Sequence, residues 1–221
     1  MLALALSPFP DERGETASAA EPEGRNADVV RLVNGVPVGY PRSEAGAVQA
    51  AVNYQLVRSS KAYRTDTQVR VGVIDAITAS ETVEALFLKE ELATRRLLDS
   101  HGLTQETADS LVARAAALGT RTVGYTDEAA KIQVWLTELV GVPEASEGTS
   151  VAATWTTYTV VLRWQADDWK LVKVSSDAGP TPLENSGTIP STAQELRLAD
   201  RVFRVPPFTA WGDPATSGSA T

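Results

Sequence analysis

The spacing of hydrophobic positions changes about halfway along the chain, and that change sorts the predicted elements. Ala47, Ala50, Ala51, Tyr54 and Val57 recur at steps of three and four residues, the signature of one helix face. This predicts a helix from Glu44 to about Tyr63. Ser43 is placed to cap it, and Glu44 complements its positive end. The alanine surface predicts close packing against a sheet. A second helical stretch starts at Thr65 or Asp66 and runs to about Ile77. A third spans Ser80 to Ser100, with Val83, Leu86, Phe87, Leu97 and Leu98 in phase alongside Glu90 or Glu91; Gly102 is its stop. A fourth is predicted from Thr104 to Leu118, ending at Gly119.

The period then becomes two. Ile132, Val134 and Leu136 alternate with Gln133, Trp135 and Thr137, which predicts a half-buried strand over Lys131 to Val140. Val151 to Trp164 is rich in Thr, Val, Tyr and Trp and predicts a long strand, with Tyr158, Val160, Leu162 and Trp164 on one face. Ala166-Asp167-Asp168 reads as a short turn, after which Trp169 to Ser175 returns as a hairpin partner. Ahead of the helices, Val29 to Pro41 holds the turn pair Asn34-Gly35, while Pro37 and Pro41 confine it to an edge strand or extended arm. Helices followed by antiparallel strands predict an α+β domain, with N-terminal helices packed on a curved antiparallel sheet. The same order argues against alternating βαβ units, and so against a doubly wound nucleotide-binding fold.

Residues 1–27 read as a linker, 28–182 as the domain and 183–221 as a loop-rich tail with a short helix over Thr192 to Asp200. The apolar start, Met1 to Leu6, reads either as a frayed terminus or as the last turns of a membrane or export helix. With 221 residues and 43% hydrophobic content, the middle of the chain can build a core. The net charge of −8 repels phosphate backbones, so nucleic acid is not an expected partner. The absence of cysteine removes disulfides, thiolate catalysis and Cys-based metal sites.

Candidate chemistry is sparse. The lone histidine, His101, reads as a solvated residue at a helix end, and one histidine cannot build a histidine-pair metal site. Asp167-Asp168 reads as turn chemistry rather than a calcium site. No phosphate-cradling glycine motif is present, and no cofactor is expected. Asp75, set in Val71-Gly72-Val73-Ile74-Asp75-Ala76-Ile77, is the best acid for proton transfer, against the plainer reading of an exposed stripe on a helix. Trp135, Trp155, Trp164 and Trp169 fall on predicted strands and read as packing aromatics, with a ligand cleft as the minority reading. Trp211 either folds back on the domain or anchors a partner.

Two stretches carry a resemblance. The first is N-G-V-P-V-G-Y-P-R-S-E-A-G-A-V-Q-A-A-V-N-Y, from Asn34 to Tyr54. The second runs from Trp155 through W-T-T-Y-T-V-V-L-R-W-Q-A-D-D-W-K-L to Pro182. Together they resemble a family of uncharacterised proteins associated with conjugative or integrated mobile elements in high-GC Gram-positive bacteria. The resemblance implies a nuclear transport factor two-like cone, similar to extracellular domains of type IV secretion assembly subunits. It also implies an anchor ahead of the domain, of which this sequence keeps at most Leu2 to Leu6. The leading expectation is therefore a non-catalytic interaction or scaffold domain outside the cytoplasmic membrane, in a conjugation-type secretion apparatus. Its partners would be other protein subunits or copies of itself, with the membrane reached through an N-terminal anchor. The alternative is a small-molecule-binding or isomerase-like cone enzyme, with Asp75 as the acid and Tyr125 or Trp135 lining its cleft. A third is a secreted or surface protein with no part in transfer. The leading expectation carries a structural corollary: Trp-rich hairpins fill the interior of the sheet and leave no reactive cavity.

Overall fold

The computed structural model describes residues 31–143, 151–180 and 194. The 1–27 linker and Trp211 lie outside the described residues, as does the 183–221 tail save Gln194, which is helical. Two short strands, β1 (Arg31–Val33) and β2 (Val36–Val38), form a hairpin. Its two-residue loop is Asn34-Gly35, both at positive φ, the backbone that lets a tight turn match the strand twist. The Asn34 amide donates to the Gly72 carbonyl at 2.9 Å and pins the hairpin to the helices. A Cβ on Gly72 would stand 3.2 Å from the Asn34 side chain.

Four helices follow: α1 (Glu44–Arg58), α2 (Lys61–Thr65), α3 (Thr67–Ile77) and α4 (Val83–Ser100). The single first helix expected from sequence is two. It breaks at Ser59, and Ser60 caps the new start by accepting the Tyr63 N–H at 3.2 Å. Asp66 closes α2 and caps α3 through its side chain, accepting the N–H groups of Gln68 and Val69. Serine and aspartate do this because their short side chains compete for free backbone donors.

The sheet is a meander, β3 (Val112–Tyr125), β4 (Ala129–Gly141), β5 (Ala152–Gln165) and β6 (Asp168–Ala178), antiparallel and in that spatial order. The helix expected from Thr104 to Leu118 is therefore wrong. A short 3-10 turn at Ala108–Ser110 leads into β3, which pairs with β4 from Val112↔Gly141 to Tyr125↔Ala130. The alanine run that favours helix by propensity is overridden by this ladder. Register shifts between Ala117 and Gly119, Thr122 and Gly124, and Val161 and Leu162 are the devices that bend a sheet. The class is α+β as expected, and the arrangement is consistent with a cone.

Helix α1 lies across the inner face of the sheet and touches all four strands. Ala47, Ala50 and Ala51 are fully buried there, which lets backbone approach backbone, and Ile132, Val134, Leu136 and Leu162 meet them from the strands. A smaller core of Leu98, Leu103, Ala108, Leu111 and Ala113 ties the end of α4 to the start of β3.

Candidate functional site

The residues that carry the sequence resemblance converge at one end of the domain, and they are structural. Asp168 is 1% exposed. Its Oδ1 accepts the backbone N–H of Tyr40 at 3.1 Å and of Trp169 at 2.9 Å. Its Oδ2 accepts the Tyr54 hydroxyl at 3.4 Å and the Lys170 ammonium at 3.1 Å. Tyr54 also donates to the Trp169 carbonyl, and the Trp169 indole N–H donates to the Pro41 carbonyl. The Trp164 and Trp169 rings meet edge to face at 5.4 Å, Tyr125 tilts against Trp169 at 5.9 Å, and Arg42 stacks over Trp164. Gly46 belongs to the same knot, because a Cβ there would stand 2.0 Å from the Pro41 carbonyl oxygen. The turn reading of Asp167-Asp168 thus holds for Asp167, at φ 56 and exposed. It fails for Asp168, the first residue of β6.

The interior is not filled. A cavity of about 570 Å³ lies between α1, α2, α4 and the inner sheet face, which corrects the expectation of a Trp-plugged hollow. No tryptophan lines it: Trp164 and Trp169 pack in the knot, while Trp135 and Trp155 point to the outer face, where the Trp135 indole N–H donates to the Pro180 carbonyl. Its polar wall is two repeated units. Arg58 on α1 donates to Glu90 Oε1 on α4 at 2.6 Å, and the Tyr63 hydroxyl donates to Glu90 Oε2 at 3.2 Å. Arg64 on α2 donates to Glu138 Oε1 on β4 at 2.6 Å, and the Tyr158 hydroxyl donates to Glu138 Oε2 at 2.8 Å. Both carboxylates are buried, at 8% and 4% exposure. Each has both oxygens engaged by a guanidinium and a phenol, the arrangement that lets a buried charge stand.

These residues were legible in part. Glu138 occupies the inward phase of Ile132, Val134 and Leu136, and Glu90 the phase of Leu86, Thr94 and Leu98. A charge on the apolar face of an element is the signal that marks them. Asp75, the best acid candidate, is exposed on α3, as the plainer reading of a helix stripe has it, and neither it nor Tyr125 nor Trp135 lines the cavity. His101 stands at the cavity rim, its Nδ1 near the Leu97 carbonyl. Among the described residues no cluster of acids and histidine could hold a metal ion.

Four tyrosines are held protonated above the usual phenol range. Desolvation is the leading cause for Tyr40, Tyr54, Tyr63 and Tyr158, and the negative charges of Asp168, Glu90 and Glu138 add to it. Below the unfolded phenol pKa near 10, both states keep the proton and the contribution to stability is complete. Above it the unfolded chain releases protons that the folded chain retains, so stability falls as pH rises. In an alkaline titration, phenolate absorbance of these four is expected to appear together with loss of the circular dichroism signal. Phenolates that titrate near 10 while the fold is intact would contradict the burial described.

A family model described as a domain of unknown function, DUF8175, matches residues 30–194. The chain belongs to the DUF8175 family. The match begins at the β1–β2 hairpin and takes in the knot, the cavity and the whole sheet of this DUF8175 domain. No curated protein matches the chain. Solved structures similar to it include an IcmL-like type IV secretion system protein from Legionella pneumophila, with TM-score 0.46 and 11% identity over 65% of this chain and 98% of that one. They also include the intermembrane space region of the chloroplast protein ARC6, with TM-score 0.37 and 12% identity over 60% of this chain and 97% of that one. No helix among the described residues is long and apolar enough to cross a membrane.

Proposed function

We propose that this DUF8175 domain is a non-catalytic interaction domain that works outside the cytoplasmic membrane, in a conjugation-type secretion apparatus. The observation that carries the non-catalytic part is the state of the two cavity acids. In Glu90 and Glu138 both oxygens already accept, one from an arginine and one from a tyrosine, so a substrate would have to compete with these partners for the remaining lone pairs. The extracytoplasmic and secretion parts rest on the mobile-element resemblance of the Asn34–Tyr54 and Trp155–Pro182 stretches. The full chain, expressed in its own host and cross-linked, is expected to fractionate with the envelope and to capture channel subunits. Recovery in the cytosol with no such capture would refute the reading.

One observation favours a second reading, a cavity that holds a small anion. The Arg58 Nε is buried in the cavity wall and has no hydrogen-bond partner among the described residues, which normally costs about 1–3 kcal/mol. A rise in melting temperature with small carboxylates, lost in Arg58→Lys, would favour this reading over the first.

A further inference from the structure

Helix α4 carries apolar side chains on its outer face as well as on its inner one. Its inward ridge, Leu86, Glu90, Thr94 and Leu98, contains a charge and a hydroxyl. Its outward ridge carries Leu88 at 61% and Leu92 at 50% exposure, with Ala85 also exposed one turn before. A helix that served the core alone would carry polar side chains at these outer positions. Leucines four residues apart stack on one face, so these two form a continuous apolar ridge.

The charges along the ridge say what covers it. Glu84 stands at its N-terminal end and Arg95 and Arg96 at its C-terminal end, with Asp99 one turn beyond at the rim. Glu84, Arg95 and Arg96 are absent from the ion pairs among the described residues. Glu81, at the acidic end, is already tied to Arg163. The ridge is therefore acidic at one end, apolar in the middle and basic at the other, and is complementary to itself when reversed. A two-fold axis near residue 90 sets Leu88 against the partner's Leu92 and brings Glu84 within reach of the partner's Arg95 and Arg96. Each contact is made twice, as an isologous interface requires, and the helix dipoles oppose favourably. We propose that α4 is a self-association face on which a second copy of this chain docks antiparallel through Leu88 and Leu92. This deepens the interaction-domain reading and rests on it, by naming one partner.

The test is sedimentation velocity and light scattering of the full chain over a concentration series, with circular dichroism to confirm that every variant is folded. Wild type is expected to dimerise reversibly, with a Kd on the order of micromolar. Leu88→Glu with Leu92→Glu is expected to be monomeric. Glu84→Arg alone, and Arg95→Glu with Arg96→Glu, are each expected to weaken association at least about tenfold through like-charge contacts. An equimolar mixture of those two variants should recover the dimer, because every crossing pair is then opposite in sign. A wild-type monomer at about a hundred times that Kd, a dimer untouched by the leucine changes, or a mixture that fails to recover would overturn the proposal. If the monomer captures a different envelope protein through Leu88 and Leu92, self-association is refuted and the interaction-domain reading stands. If the dimer forms as described but the chain captures no channel subunit, that reading fails and the proposal survives.

Discussion

Asp168→Ala is expected to destabilise the folded domain by about 3–5 kcal/mol, a larger loss than truncation of either cavity-wall arginine. The carboxylate is 1% exposed and receives four donors from three segments. Removing it leaves the Tyr40 N–H without its acceptor and strands the Lys170 ammonium, which is mostly buried at 15% side-chain exposure. Lys170 keeps only its bond to the Ala76 carbonyl. Tyr54 is the least affected, since its hydroxyl retains the Trp169 carbonyl at 2.8 Å. In urea unfolding the midpoint should fall with little change in slope, and the melting temperature should drop by roughly 10 °C. Asp168→Asn separates charge from shape. Its carbonyl oxygen can still take the two backbone N–H groups, but its amide faces Lys170, so an intermediate loss of about 1–2 kcal/mol is expected. A loss under about 1 kcal/mol for the alanine variant would mean that the knot is not what joins the Tyr40 segment to the sheet.

Arg64→Ala is expected to cost about 2–3 kcal/mol, and the reason lies in what it leaves behind. Glu138 has a side chain only 5% exposed, and without Arg64 it keeps Tyr158 as its sole partner. An uncompensated buried charge is worth several kcal/mol. The figure sits at the low end because the adjoining cavity is large enough to admit water. The decisive comparison is the double variant Arg64→Met with Glu138→Leu. It removes the pair but leaves the Tyr158 hydroxyl without its acceptor, so adding Tyr158→Phe is expected to bring stability within about 1 kcal/mol of wild type, or above it, because apolar side chains need no compensation. Chemical denaturation of wild type, Arg64→Met, Glu138→Leu and the double variant gives the coupling directly. If the double variant is as unstable as the sum of the singles, the two side chains do not act as a pair.

Sequence reasoning found what neighbouring residues decide among themselves. The Asn34-Gly35 turn, the Ser43 cap, the helix start near Asp66, the Gly102 stop and the inward phase of Ile132, Val134 and Leu136 are all set by residues a few positions apart. Such signals survive in any context, because a cap or a turn satisfies its own backbone. The order of helices before strands was enough to give the α+β class.

What failed depends on distant partners. The Thr104–Leu118 stretch has the alanines of a helix, yet from Val112 it is an edge strand because β4 offers it a ladder of backbone partners. Asp168 looked like its turn neighbour Asp167, and the Tyr40 segment and Tyr54, 128 and 114 residues away, help make it a buried acceptor. Arg64 and Glu138, 74 residues apart, become a pair only when α2 is laid over β4. Local elements and the fold class follow from backbone geometry and hydrophobic period, so the order of residues was sufficient for them. Three things waited on the packed chain: which charges are buried, that the hollow is open and lined by two buried acids rather than filled with tryptophan, and that α4 leaves Leu88 and Leu92 exposed. Burial is a property of what the rest of the chain leaves uncovered, and no window of neighbouring residues contains it.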